Sequence, residues 1–216
     1  GVNNYGQLGQ VINGSSPFSA NATPLLVTGI PGTVISVSTG ATHTCAVNSL
    51  ADIYCWGDNS AGQLGNNSLV ASVTPVLVST LTGVGAQVST GNYFTCATTT
   101  DGKAYCWGSG GSGRLGNNSA TSVRVPTLVT GLTSGVTQVS NGYDHVCAIQ
   151  SGEVKCWGYG FFGSLGNGGT SNALTPVSVT GLSSGFTQIV SGSRYSCARN
   201  SSTTYCWGDN TEGALG

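Results

Sequence analysis

The sequence is poor in charged residues, in methionine and in long apolar segments. Charged residues make up 6% of the 216 residues and the net charge is −1, whereas an ordinary globular domain is roughly 25% charged. A chain this neutral lacks the electrostatic footprint of a nucleic-acid or anionic-membrane binder. No apolar run approaches the roughly 18 residues that span a bilayer, so membrane insertion is not expected. Because methionine is absent, residue 1 is not a translational start, and we expect a processed or excised chain.

Apolar periodicity of the helical kind is also missing, while turn-forming residues are abundant. The chain contains 35 glycines, many Ser, Thr and Asn residues, and 38% apolar residues, which is enough to build a core. Short apolar segments separated by turn formers indicate short strands joined by tight turns. The sequence therefore predicts an all-β protein.

One motif recurs along the chain. The segment YCWGDNSAGQLGNNS at 54–68 returns in close variants at 105–119, 155–169 and 205–216, and GVNNYGQLG opens the chain. The motif tryptophans stand at 56, 107, 157 and 207, so the period is 50 or 51 residues. Such a period is typical of repeat architectures, and four strand-like segments in each period match one propeller blade. We assign repeats to about 1–56, 57–107, 108–157 and 158–207, with 208–216 beginning a further repeat of one continuous array.

The eight cysteines form four pairs, nine or ten residues apart, on consecutive strand-like segments. In CAIQSGEVKC, a two-residue loop at Ser151-Gly152 sets Cys147 directly opposite Cys156. At this distance from the loop, paired Cα atoms lie about 4.5 Å apart, which is within disulfide range. The same count applies to the other hairpins, so we predict four local disulfides and an oxidising compartment. The predicted pairs are Cys45–Cys55, Cys96–Cys106, Cys147–Cys156 and Cys197–Cys206.

The large apolar residues of the motif are predicted to form the core. Pleat parity places each tryptophan on the strand face opposite the sulfurs, and small alanines on the neighbouring strand leave room for a ring or a second sheet. We expect the tryptophans to pack between blades, and the leucine of each Gly-x-Leu-Gly turn to be a buried plug. These predicted core residues are Trp56, Trp107, Trp157, Trp207, Leu8, Leu64, Leu115, Leu165 and Leu215.

The segment HTCAVNSLADIYCWGDNSAGQLGNNS and its copies resemble RCC1-type repeats (regulator of chromosome condensation). The resemblance covers essentially the whole chain, because the signature recurs four times in phase and once more at 1–9. It implies blades of a β-propeller, which in this family is a seven-bladed ring. The paired cysteines are similar to those of secreted bacterial and extracellular versions of the repeat. Four repeats leave three arrangements open: part of a longer propeller, a ring completed by other copies, or a segment of a continuous array.

Chemical roles for the cysteines, histidines and acids fit the sequence less well than structural ones. Structural zinc sites use cysteine spacings of about two to four residues, whereas the spacings here are nine and ten. His43 and His145 occupy a repeat position that is Phe94 and Tyr195 elsewhere, which indicates packing. The acidic residues lie at unrelated positions of the repeat, so no carboxylate pair can be assigned. We therefore predict no metal, no cofactor and no enzymatic activity.

Two features break the repeat pattern or its chemistry. Phe161 and Phe162 are adjacent aromatic residues in the third motif only, and we predict either a contact patch or a cover over a neighbouring blade. Five Asn-x-Ser/Thr sequons are candidate glycosylation sites if the protein passes through a eukaryotic secretory pathway. These sequons begin at Asn13, Asn21, Asn66, Asn117 and Asn200.

Two functions follow from these observations. The first is a non-enzymatic, extracellular or cell-surface structural or adhesive repeat protein, part of a longer filament-forming chain, whose partners are further copies or further repeats of the same chain. The alternative is a discrete β-propeller binding module that recognises a protein partner, of the enzyme-inhibitor or GTPase-regulator type. The alternative predicts unlike loops gathered on one rim.

Overall fold

The computed structural model describes residues 3–9, 21–81 and 83–216, and within them the chain is almost entirely strand and turn. In these residues, fifteen strands form four antiparallel sheets, in which neighbours along the chain are neighbours in the sheet. Gly111–Gly113 form a short 3-10 turn. The fold is thus all-β, as predicted.

Each sheet follows the same simple order. The first sheet consists of β1 (Val34–Thr39), β2 (His43–Asn48), β3 (Ile53–Gly57) and β4 (Ser72–Leu77). The second consists of β5 (Gly85–Thr90), β6 (Phe94–Thr99), β7 (Ala104–Gly108) and β8 (Val123–Leu128). The third consists of β9 (Val136–Asn141), β10 (His145–Gln150), β11 (Glu153–Gly158) and β12 (Ala173–Ser178). The fourth has three strands, β13 (Gln188–Ser191), β14 (Tyr195–Arg199) and β15 (Thr204–Gly208).

The sheets are offset from the predicted repeats. The proline-containing strand that begins a predicted repeat, such as β4, pairs with the cysteine-tryptophan strand of the preceding repeat, here β3. This strand is the outermost of its sheet, where an edge proline removes no ladder hydrogen bond. The predicted repeat boundaries therefore follow the period of the sequence. In each four-stranded blade, the outer strand comes from the next repeat of the sequence.

Consecutive sheets stack with unlike faces together. One core cluster joins the sulfur face of the first sheet, with Cys45, Cys55 and Val47, to Ala97 and Trp107 of the second. Equivalent clusters join the second sheet to the third and the third to the fourth. Each disulfide in the first three sheets is therefore covered by the tryptophan face of the next blade.

The innermost strands β1, β5, β9 and β13 lie beside one another around the axis of the array. Polar side chains of one inner strand accept hydrogen bonds from backbone N–H groups of the next, about 51 residues along the chain. The acceptor and donor pairs are Ser38 Oγ with Thr90 N at 3.0 Å, Gln87 Oε1 with Val139 N at 3.0 Å, Ser89 Oγ with Asn141 N at 2.9 Å, Gln138 Oε1 with Ile189 N at 2.8 Å, and Ser140 Oγ with Ser191 N at 2.8 Å. These bonds satisfy strand edges that the sheets themselves leave unpaired.

The two ends of each blade differ. The tight hairpins that join the second and third strands lie at one end. The short turns 40–42, 91–93, 142–144 and 192–194, together with the long loops 58–71, 109–122 and 159–172, lie at the other end, which we call the loop rim. Backbone hydrogen bonds tie turn to loop in each blade, as from Asp58 N to Thr42 O at 3.0 Å.

Candidate functional site

In the motifs that carry an asparagine three residues after the tryptophan, side-chain hydrogen bonds from that asparagine hold the turn. Asn59 Nδ2 donates to the carbonyl oxygens of Ser68 and Val70, both at 3.1 Å. Asn59 Oδ1 accepts the Leu64 N–H at 3.0 Å, and Asn210 accepts that of Leu215 at 2.9 Å in the same way. The amide thus holds the loop closed over the leucine, which explains the Asn-x-x-Gly-x-Leu-Gly pattern without any bound ligand.

Each motif tryptophan fastens its blade to the preceding motif. The indole N–H donates to a backbone carbonyl two residues before the last glycine of that motif. The pairs are Trp56 with Gln7 at 3.0 Å, Trp107 with Gln63 at 2.9 Å, Trp157 with Arg114 at 3.0 Å and Trp207 with Ser164 at 3.0 Å. Among the predicted core residues, Trp56, Trp107, Trp157, Leu64, Leu115 and Leu165 are buried, whereas Leu8, Leu215 and Trp207 are half-buried.

The cysteines lie in the hairpin register that the sequence indicates. Ser151 and Gly152 both have positive φ, at 52° and 84°, and Gln150 pairs with Glu153 across this two-residue turn. Cys147 lies opposite Cys156. All four cysteine pairs, Cys45–Cys55, Cys96–Cys106, Cys147–Cys156 and Cys197–Cys206, are disulfides with Cα–Cα distances of 4.1 Å.

The two histidines are buried between sheets. His43 Nε2 lies 2.8 Å from Thr95 Oγ1, and His145 Nε2 lies 2.8 Å from Ser196 Oγ, each on the next blade. Because the Thr95 hydroxyl donates to Gln63 O, we assign the proton to His43 Nε2. Burial lowers the pKa of both histidines to about 4. They are therefore neutral packing groups at pH 7 rather than candidates for acid–base chemistry.

The loop rim carries an aromatic cluster between the third and fourth sheets. Phe161 and Phe162 contact edge to face, with ring centroids 5.1 Å apart, and Tyr159 lies 6.2 Å from Phe161. The Arg194 guanidinium from the next blade lies 4.5 Å above the centre of the Phe162 ring. Together with Tyr143, these residues line a cavity of about 210 Å³. We call this set of five side chains the aromatic rim patch.

The two phenylalanines differ in exposure. Phe161 is 61% exposed, whereas Phe162 is half-buried under Arg194. The residues equivalent to Phe161 in the other motifs are small or polar, namely Asn4, Ser60, Gly111 and Thr211, whereas Phe162 corresponds to Tyr5, Ala61, Ser112 and Glu212. Phe162 thus contacts Arg194 of the neighbouring blade, while Phe161 is exposed to solvent. The contact patch stays a prediction.

For three members of the patch, the local sequence gives no indication that they belong to a shared surface. Tyr143 and Arg194 belong to the turns before the first cysteine of their repeats, and Tyr159 follows Trp157-Gly158. Those turns are unlike from repeat to repeat, reading Ala41-Thr42, Asn92-Tyr93, Tyr143-Asp144 and Ser193-Arg194. Aligning the repeats would single out these positions as variable, but only the stacking of blades brings them to the Phe161 loop.

Further aromatic residues extend the loop rim towards the first blades. Tyr93 adopts φ +61°, which is unusual for a bulky residue. Partial burial raises its pKa, and the neighbouring Tyr5, Asp58 and Tyr143 raise it further. Backbone hydrogen bonds link successive turns, from Asn92 N to Tyr143 O at 3.3 Å and from Tyr143 N to Ser193 O at 3.1 Å. The rim is therefore a connected surface.

The described sequons differ in the hydrogen bonding of their asparagines. Asn66 Oδ1 accepts from Asn59 Nδ2 and Ser68 N, both at 3.2 Å, and Asn117 Oδ1 is buried without a hydrogen bond. Asn200 caps its hairpin by accepting the Thr203 N–H at 2.8 Å, and Asn21 Nδ2 donates to Thr23 O at 2.7 Å. Asn13 lies outside the described residues. Glycosylation of these sites stays a prediction.

Over residues 3–9, 21–81 and 83–216, no three His, Cys, Asp or Glu side chains gather in a way that could hold a metal ion. In the same residues, no helix has the length and apolar character needed to cross a membrane. The polar side chains of the loop rim hold turns and neighbouring blades together, as in the 2.8 Å ion pair between Arg114 and Asp144.

Stacked four-stranded blades, tied through their tryptophans and inner strands, define a repeat protein of the β-propeller class. The family model for the regulator of chromosome condensation (RCC1) repeat matches residues 1–47, 51–98, 101–149 and 151–199. The chain therefore belongs to the RCC1 repeat family. The resemblance noted in the sequence is confirmed, including its disulfide-containing form.

Solved structures show the same fold. The crystal structure of human WBSCR16 is 26% identical and superposes with a TM-score of 0.86 over 99% of this chain and 57% of that protein. Prp20p from Saccharomyces cerevisiae, whose structure was described with its binding properties to Gsp1p and histones, is 24% identical with a TM-score of 0.69, over 82% of this chain and 44% of Prp20p. The chain thus spans about half the length of these propellers.

Among curated proteins, the human E3 ubiquitin-protein ligase HERC2 is 37% identical over 154 residues, which are 69% of this chain and 3% of HERC2. The RCC1 domain-containing protein RUG3, mitochondrial, from Arabidopsis thaliana is 35% identical over 112 residues, 51% of this chain and 25% of RUG3. The similarity therefore concerns the repeats, and covers a small part of each relative.

Proposed function

We propose that this chain is a non-enzymatic protein-binding module that presents the aromatic rim patch to a protein partner. The observation that carries the proposal is Phe161, which is 61% exposed and packed into a cluster with Tyr159, Phe162 and Arg194. Exposed aromatic residues beside Arg are enriched at the centres of protein interfaces. A lone exposed phenylalanine is ordinary, but one held in a built cluster at the rim of a propeller is not.

The similar proteins support the same function. Yeast RCC1 (Prp20) has been crystallised bound to Kap60, and Prp20p has binding properties towards Gsp1p and histones. We transfer to this chain only the general property of binding a protein through RCC1 blades. The E3 ligase HERC2 is far longer than the matched region, so we propose no ligase activity for these repeats.

The first function that the sequence predicted, an extracellular structural or adhesive repeat protein, has less support than its alternative. The similar proteins include a ubiquitin ligase and an RCC1 protein that was crystallised bound to a protein partner. The four disulfides are compatible with an oxidising environment. We therefore retain a secreted location within the proposal, and replace further copies of the same chain by a different protein as the partner.

The experiment compares immobilised wild-type chain with Phe161→Ala and with Thr211→Ala, the matched position in another repeat. Quantitative mass spectrometry of captured secreted proteins, followed by calorimetry with each purified candidate, is the measurement. We expect at least one purified protein to bind the wild type and Thr211→Ala equally and to lose affinity for Phe161→Ala. If every purified binder tolerates Phe161→Ala, the rim patch is not the binding surface and the proposal fails.

A further inference from the structure

We infer that the aromatic rim patch takes an extended, acidic peptide segment of the partner, in which an Asp or Glu side chain stands beside a large apolar side chain. This inference rests on the proposed function and specifies the chemistry of the partner at that surface. Its basis is the arrangement of Arg194 on the Phe162 ring at the edge of the cavity.

Four charged groups besides Arg194 face the patch, and they are engaged to different degrees. The Asp144 carboxylate is 2.8 Å from Arg114, and both residues are half-buried. Asp209 accepts the Thr211 N–H at 3.0 Å, while Glu212 is exposed at the far side of Arg194. The charge of Asp144 is thus already matched, while the Glu212 carboxylate forms no ion pair with the described residues and lies outside the cavity that the patch lines.

Arg194 is the cation of the patch whose charge is least satisfied. Its side chain is 56% exposed, and its ion pair with Asp209 is long, at 3.9 Å. Hydrogen bonds from Thr211 chiefly lower the pKa of Asp209, and Arg194 adds the smallest share. To the other described residues, the Arg194 guanidinium makes no hydrogen bond, although it has five N–H donors.

The Phe162 ring fixes the position of this cation. At 4.5 Å from the ring centre, the guanidinium is held by cation–π attraction, with its N–H edges free to face solvent. A carboxylate of the partner that binds beside the guanidinium can accept two parallel N–H bonds. The arginine does not have to change its rotamer to donate them. The site therefore favours an anion over a cation or a neutral amide.

The apolar half of the site lies next to this anion position. Phe161, Tyr159 and Tyr143 border the same cavity of about 210 Å³, which is the size of one large side chain rather than of a folded domain. A neighbouring Leu, Phe or Trp of the segment would cover the exposed Phe161 ring.

The test uses the whole chain and a random peptide library displayed on phage. Peptides that bind are synthesised, and their affinities are measured for the wild type, Phe161→Ala, Arg194→Ala and Arg194→Lys. We expect the bound peptides to be enriched in Asp or Glu next to a large apolar residue. Arg194→Ala should weaken them roughly ten- to a hundredfold, because a hydrogen-bonded charge is lost, and Arg194→Lys should restore part of the affinity.

A second measurement keeps the inference independent of the folding of the variants. Replacing the peptide Glu by Gln should weaken binding to the wild-type chain to a similar degree, and added salt should weaken the Glu peptide more than the Gln peptide. Peptides that need Phe161 but show no acidic preference, or bind Arg194→Ala equally well, would overturn the inference and leave the proposed function standing. If no selected peptide depends on Phe161, the proposed function itself is contradicted.

Discussion

The tryptophan hydrogen bonds between blades can be tested by the same substitution at two positions. Trp107 and Trp157 are both fully buried, and each donates to a backbone carbonyl of the preceding motif. The two carbonyls differ in one respect. Gln63 O also accepts the Thr95 hydroxyl at 2.8 Å, whereas the residue equivalent to Thr95 in the third blade is Val146, which has no donor.

Replacing either tryptophan by phenylalanine removes similar volume and one hydrogen bond. In Trp107→Phe, Gln63 O keeps its bond to Thr95, so no carbonyl is left unsatisfied. In Trp157→Phe, Arg114 O keeps no other partner among the described residues. Leaving a buried polar group unpaired costs about 1–3 kcal/mol, so we expect Trp157→Phe to lower the free energy of unfolding by about that much more than Trp107→Phe.

The assay is unfolding in guanidinium chloride, followed by circular dichroism with the disulfides intact. A third variant, Trp157→Phe with Val146→Thr, supplies the missing hydroxyl and should recover most of the difference. Val146→Thr alone is the control for the cost of burying the hydroxyl. Equal losses for the two phenylalanine variants, with no recovery on adding Val146→Thr, would refute this account of how the blades are joined.

Three further predictions address the histidines, the turn glycines and the disulfides. Burial lowers the pKa of His43 and His145 to about 4, below the value near 6.5 of a histidine in an unfolded chain. Between pH 6.5 and 4, the unfolded chain therefore binds more protons than the folded chain. Each histidine should therefore lower the free energy of unfolding by about 3 kcal/mol as the pH falls from 6.5 to 4. The double variant His43→Phe, His145→Phe introduces the residue that the second blade has as Phe94. In denaturation curves, its free energy of unfolding should no longer fall over this pH range. In thermal unfolding, Gly116→Ala should destabilise the protein by about 1–3 kcal/mol more than Gly181→Ala. Both glycines have positive φ, but a Cβ at Gly116 would lie 2.8 Å from Trp157 Nε1, whereas a Cβ at Gly181 would have no atom within 4 Å. Equal losses of stability would contradict this packing. Removing Cys96 and Cys106 together as serines should cost about 2–3 kcal/mol in the same experiment, and non-reducing peptide mapping of the wild type should join only cysteines of one hairpin.

The hairpins could be predicted from the sequence because their information is local. The Ser151-Gly152 turn fixes the register, and the register alone brings Cys147 opposite Cys156. In the first blade, Ala51 adopts φ +59° in place of the glycine at 102, so the count of residues decides the pairing even where the turn residue is less favourable. RCC1-type propeller blades were also predictable, from the period and the turn motif.

Pairings between segments that are distant in the sequence could not be predicted in the same way. The outer strand β4 follows a long loop and returns to β3, and nothing in its own sequence distinguishes this from pairing with the adjacent β5. The inner-strand bonds, such as Gln87 to Val139, join residues about one period apart and need the stacking geometry. For the aromatic rim patch, the sequence indicated Phe161 and Phe162, because they break the repeat. It did not indicate Arg194, which comes from the next blade.

In the turn motif, the repeats keep the buried leucine and differ at exposed positions. Residues that stabilise the fold can therefore be distinguished from residues that are free to bind a partner. The leucine of the turn stays leucine in every motif and is fully buried in the three central ones. Four positions before it, at a site on the loop rim, the residue is Asn4, Ser60, Gly111, Phe161 or Thr211. The fold therefore tolerates almost any residue there, so the energy of packing does not explain two adjacent phenylalanines in the third motif. A surface position that is free to vary, and that carries an exposed ring beside a poorly paired arginine, is explained more readily by a partner than by the fold.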